Sequence, residues 1–131
     1  MAAVDSVDTY LESLPTLRAR RLAHSEWGIT IPGDNVGGDP IEAGVRIAEG
    51  LLRVQAIALH GASDLDAWML LWWNRQTRLV RFGCTRSRDL WVHADIPVSD
   101  ADDRGVDRLL GLLTEAVVAV RDHAAGVRAS E

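Results

Sequence analysis

The chain has 131 residues, 47% of them hydrophobic and 25% charged, with a formal charge of −5. That length suits one domain with one core, and the composition is too apolar for a disordered chain. A net negative charge gives no electrostatic footprint for nucleic acid, and all fourteen basic residues are arginine, so neither a Schiff-base lysine nor a P-loop is available.

The single cysteine, Cys84, excludes an internal disulfide and points to a reducing compartment. The opening MAAVDSVD lacks a basic segment followed by an apolar one, and no apolar run is long enough to span a membrane. A cytoplasmic protein with no membrane partner is therefore expected.

The first predicted element is a helix starting near Asp5 or Ser6 and burying Val7, Tyr10, Leu11 and Leu14. Pro15 ends or kinks it, so residues up to Leu22 read as a second short helical piece or a kinked continuation. Trp27, Ile29 and Ile31 alternate with Gly28 and Thr30 as a strand that Pro32-Gly33 stops. Residues 33–44 read as a flexible glycine-rich loop. Val45 and Ile47 open a second strand, Glu49-Gly50 reverses the chain, and Leu51 to His60 forms a third. These three should make an antiparallel meander.

A second helix is predicted over 64–75, with Leu65, Trp68, Met69 and Trp72 at helical spacing on one face and Leu70, Leu71 and Trp73 widening it. Val80, Phe82 and Cys84 define a fourth strand, with Cys84 expected as a small buried hydrophobe; Leu90 to Ile96 define a fifth. Ser99 and Asp102 mark the start of a last helix, whose stripe Val106, Leu109, Leu110, Leu113, Val117 and Val120 ends near Gly126. Residues 127–131 are expected to be a disordered tail. The order α-β-β-β-α-β-β-α gives an α+β domain with a five-stranded antiparallel sheet.

From about Trp27 to Val120 this order resembles the YbjN family, whose domain is similar to type III secretion chaperones of the CesT and Tir-chaperone kind. The resemblance rests on the strand ending in Pro32-Gly33, the meander RIAEGLLRVQAIALH, the helix ending Trp73-Asn74-Arg75, the strand LVRFG, and DLWVHADIPV leading into DRLLGLL. It implies helices mostly on one face of the sheet, frequent homodimers, no reaction and, by analogy with the chaperone branch, an unfolded polypeptide client.

The second helix carries more apolar surface than one domain needs to bury, so Trp68, Met69, Trp72 and Trp73, with Arg75 for orientation, are the expected partner-binding residues. Arg78, Arg81 and His93 form an alternative small-ligand or anion site on the last two strands. His93 and Asp95 share a strand face with Trp91, but no third residue orients them, so no catalytic residue is assigned. The histidines and Cys84 lack metal-ligand spacing, and no metal or cofactor is expected. The expected protein is a non-enzymatic, chaperone-like or regulatory homodimer that binds a polypeptide client.

Overall fold

The computed structural model describes residues 2–36 and 38–130. Helix α1 (Ala2–Ser13) precedes strands β1 (Arg18–Ala23), β2 (Glu26–Ile31), β3 (Ile41–Ala48) and β4 (Leu51–Leu59). Helix α2 (Ala67–Gln76), strands β5 (Val80–Cys84) and β6 (Leu90–Pro97), and helix α3 (Asp103–Ala129) follow. The described residues form a six-stranded sheet in the order β1-β2-β3-β4-β6-β5, with every neighbouring pair antiparallel.

The expected α+β class and the β2-β3-β4 meander are present, but the sheet has one strand more than the five expected. The extra strand is β1, which replaces the predicted helical continuation through Leu22. Its sequence RARRLA has no clean apolar alternation; Ala19 alone is an inward apolar residue, and Leu22 is 56% exposed on the other face. Pairing of its backbone with β2 makes the strand, a contribution that side-chain periodicity does not register. The arginines also suit its position, because cationic side chains discourage uncontrolled pairing at a sheet edge.

Strand β3 begins at Ile41, four residues before its predicted start, because Ile41, Ala43 and Val45 all point into the core. The expected loop over 33–44 therefore contracts to a 3₁₀ turn at Gly33–Asn35 and a short link, with Gly37 outside the described residues. Between β3 and β4, Glu49 and Gly50 take φ values of 54° and 77°. Two successive left-handed residues match the right-handed twist of the strands they join, and glycine takes the second at no steric cost.

The core lies between one sheet face and helices α1 and α3. Trp27, Ile29, Ile41, Val45, Leu52, Val54, Val80, Phe82 and Val92 supply the sheet side. Val106, Leu109, Leu113, Val117 and Val120 supply the stripe of α3, as their spacing required. Asp102 caps α3, accepting from the Gly105 amide at 2.8 Å. A Cβ on Gly105 would stand 1.9 Å from the Asp100 carbonyl oxygen, so only glycine lets the preceding 3₁₀ turn fold back this closely. The helix passes Gly126 and ends at Ala129, so most of the expected disordered tail is helical; Glu131 lies outside the described residues. Arg128 in this last segment bonds Asp64 through Nε at 3.0 Å, tying the helix end to the approach to α2.

Helices α1 and α3 meet where Tyr10 donates to Asp107 Oδ1 at 3.0 Å. Burial, reinforced by this hydrogen bond and by the negative charges of Asp107 and Asp103, pushes the phenol up to about 12. The raised value favours the neutral phenol in the folded state, so its contribution to stability is complete below the unfolded value near 10 and is lost as pH rises through about 12. Tyr10 is the sole tyrosine. Absorbance at the phenolate band should titrate with a midpoint near 12, and Asp107→Asn should move that midpoint down; a wild-type midpoint at the free-tyrosine value would refute the contact.

Candidate partner-binding surface

Asp66 caps helix α2 by accepting from the Trp68 amide at 2.9 Å, so the helix starts at Ala67, three residues later than predicted, and Leu65 is buried just before it. No residue of the helix is fully buried. Its inner side is made by Leu70 and Trp73, which pack against the core; the Trp73 ring lies 5.9 Å from Phe82 and 5.3 Å from His123, nearly perpendicular to the latter. Of the four apolar residues expected to meet a partner, Trp73 is thus turned inward. Trp68 is 80% exposed, Trp72 59% and Leu71 57%, while Met69 is half-buried between the two sides and Arg75 is exposed. The spacing had grouped Leu65 with Trp68, Met69 and Trp72, but Leu65 precedes the helix and is buried while the two tryptophans are exposed. It could not say which side of an almost wholly apolar helix meets the sheet.

Asn74 decides the orientation. Its side-chain oxygen accepts from the Phe82 amide at 2.8 Å, and its amide donates to the Phe82 carbonyl at 3.3 Å. These are backbone groups that another strand would use at the edge of β5. One turn further on, the Thr77 hydroxyl and an Arg81 nitrogen donate to the Val80 carbonyl at 2.6 and 2.7 Å. Helix α2 and its exit turn therefore close the β5 edge, a common way of guarding a terminal strand. Sequence reading missed Asn74, although an amide directly after two tryptophans on an otherwise apolar stretch was the available signal.

Asn74→Ala is expected to cost about 1–3 kcal/mol, because it leaves two half-buried backbone groups without partners. Urea unfolding checks this. A change within error would mean that water replaces the amide at no cost.

The residues proposed for an anion site are only partly assembled. Arg81 and His93 are register partners on the open face, but Arg81 also bonds the Thr77 and Val80 carbonyls, and Arg78 sits in the turn before β5. His93 leans over Gly83, its Cε1 3.4 Å from where a Cβ would stand. Asp95 shares that face and forms an ion pair with Arg53 at 3.0 Å, so His93 and Asp95 do not make a pair. Cys84 is exposed, against the expectation of burial, because it lies past the part of β5 that α2 covers. Asp89 accepts from the Gly61 amide at 3.1 Å and lies 3.5 Å from His60; the Gly61 bond first, with help from Ser87 and His60, holds its carboxyl below the ordinary value.

An antiparallel sheet with two helices on one face and a third across its edge defines the secretion-chaperone type of α+β fold. The chain is similar to a chain of the HopA1-SchA chaperone-effector complex, with a TM-score of 0.68 and 15% identity over 90% of this chain and 91% of that one. It is also similar to a chain in the structure of the Yersinia pestis type III secretion chaperone SycH in complex with a stable fragment of YscM2, with a TM-score of 0.57 and 16% identity over 90% of this chain and 96% of that one. No family model matches the sequence, and no curated protein matches it. At these identities the likeness establishes the fold. Among the described residues, no helix is long and apolar enough to cross a membrane.

Proposed function

We propose that this protein is a non-enzymatic, chaperone-like domain of the cytoplasm that acts as a homodimer and binds a polypeptide client. The observation that carries the reading is the outward face of α2, where Trp68, Leu71 and Trp72 stand exposed beside a core that is already complete without them. Two tryptophans and a leucine on one helix face form the kind of apolar anchor that dominates protein interfaces. A groove of about 410 Å³ lies on the other flank of the helix, walled by Trp73, Val80, Phe82, Leu112, Ala116 and Ala119. With Arg78 and Glu115 at its rim, two copies could pair opposite charges across a twofold axis.

The structural neighbours support the client part of the reading, since one is a chaperone–effector complex and the other a chaperone holding a fragment of a second protein. The order of elements also supports kinship with YbjN proteins. Strand β1 offers a route for the client: it is at the edge of the sheet, and among the described residues no strand pairs with its outer side.

Size exclusion with light scattering, run over a range of micromolar concentrations, tests the dimer. The expected mass is twice the 14.3 kDa of one chain. A single-chain mass at every concentration would leave the α2 surface to the client alone and remove the homodimer from the proposal.

A further inference from the structure

We infer that the open face of the sheet holds a second site, separate from α2, for an organic carboxylate with an elongated apolar body, seated between Arg20 and Trp91. The strand register aligns Arg20, Gly28, Gly44 and Gln55 in one row across β1 to β4. Two neighbours in that row are glycine, so its middle has a floor of bare backbone, and nothing lies within 4 Å of where a Gly44 Cβ would stand. Over this floor is a concavity of about 920 Å³, walled on the open face by Arg20, Leu22, Gln55, Ile57 and Trp91. It deepens where the sheet splits: pairing of β3 with β4 stops at Ala43 and Ala56, although β4 continues to Leu59.

The polar groups around this concavity divide sharply. Of the other charged groups that line it, Arg121 donates to the carbonyls of Val36, Asp39 and Pro40, Arg128 bonds Asp64 at 3.0 Å, and Glu42 accepts from Thr30 at 2.8 Å. Among the described residues, the side chains of Arg20 and Gln55 make no hydrogen bond or ion pair. The Nε1 of Trp91 is enclosed without any acceptor. An unsatisfied buried donor costs about 1–3 kcal/mol, and Trp91 lines the concavity, so a ligand seated there is a candidate source of the acceptor that this donor lacks.

These groups specify the ligand. Arg20 leans over the floor, its Nη2 3.5 Å from where a Gly28 Cβ would stand, and a guanidinium without a partner matches a carboxylate by two parallel hydrogen bonds. Leu22, Ile57 and the glycine backbone offer an apolar path from there toward Trp91. With the Arg20 guanidinium over Gly28, three strand spacings separate it from the β6 backbone, about 14 Å less the reach of the Trp91 indole, so the body must be elongated rather than compact. Glu42 stands on the same wall and disfavours a second negative charge in mid-ligand. A free aliphatic acid and the C-terminal carboxylate of an apolar peptide share this chemistry.

The experiment follows the five indole N–H signals of the full chain by heteronuclear NMR, with Trp91 assigned from Trp91→Phe. The probes are octanoate and N-acetyl-Ala-Leu, with octanol and the peptide's C-terminal amide as uncharged controls. The Trp91 signal should move saturably with a carboxylate, with a Kd on the order of 0.1–1 mM, and not with the uncharged controls. Trp68 and Trp72 should stay still, which separates this site from the α2 surface. Arg20→Ala should weaken binding by about tenfold or more, and Arg20→Lys by less. Response to octanoate alone assigns the site to a free acid, and response to the peptide alone to a chain terminus. The inference is overturned if Trp91 is silent to both carboxylates up to ~10 mM, if the controls act equally well, or if Arg20→Ala has no effect.

Discussion

Trp27→Ala is expected to lower the free energy of unfolding by about 3–5 kcal/mol. Trp27 is 1% exposed near the start of β2, and its removal leaves a cavity that a paired strand on each side prevents from collapsing. The loss extends beyond volume. The indole N–H donates to Asp8 Oδ1 at 2.8 Å, Asp8 lies 3.5 Å from Arg21, and the Arg21 guanidinium sits 5.7 Å from the ring centroid. One side chain thus ties α1 and the edge strand β1 to the sheet. Trp27→Phe keeps most of the volume and removes only the donor, at a cost of about 1–3 kcal/mol. Denaturant midpoints measured at equal protein concentration, so that any dimer contributes equally, give both values. A loss below about 1 kcal/mol for the alanine variant would place Trp27 outside the core.

The second large effect concerns association rather than folding. Trp68→Asp combined with Trp72→Asp should weaken the proposed self-association by about a hundredfold or more, because each change puts a charge where an apolar anchor was buried between copies. The fold should hardly notice. Both indoles are exposed in the single chain, so the change in unfolding free energy should stay within about 0.5 kcal/mol. Trp73→Asp is the internal contrast, since Trp73 packs on Phe82 and His123 and its loss should lower stability first. Sedimentation equilibrium together with thermal unfolding reads both quantities. If the double variant still dimerises as tightly as wild type, the copies meet elsewhere, and the free edge of β1 becomes the surface to test.

How far the sequence carries is clearest at the two ends of the chain. The stripe from Val106 to Val120 repeats with helical period for four turns, and α3 places all six of its named residues in the core. In β2 and β6 the alternation of apolar and polar residues likewise determined which side chains face inward, because a strand presents its two faces with a fixed period of two. The Glu49-Gly50 reversal was equally legible, since few dipeptides tolerate two left-handed residues.

Strand β1 was not legible, because RARRLA carries almost no apolar alternation and becomes a strand through backbone bonds to β2, which periodicity does not record. The orientation of α2 was hidden for the opposite reason. Apolar residues nearly surround it, so hydrophobicity gives no preferred side, and the choice falls to Asn74, whose amide fits the free backbone groups of Phe82 and turns Trp68 and Trp72 to the outside. The concavity beside Arg20 belongs to the same class. Gly28, Gly44 and Gln55 lie far apart in the chain and have no shared motif; only the register of four strands makes them neighbours. Local periodicity therefore determined the core of this protein by itself, while the surfaces proposed for binding were decided by tertiary pairing, because they depend on which backbone edges and faces remain unused after the core is complete.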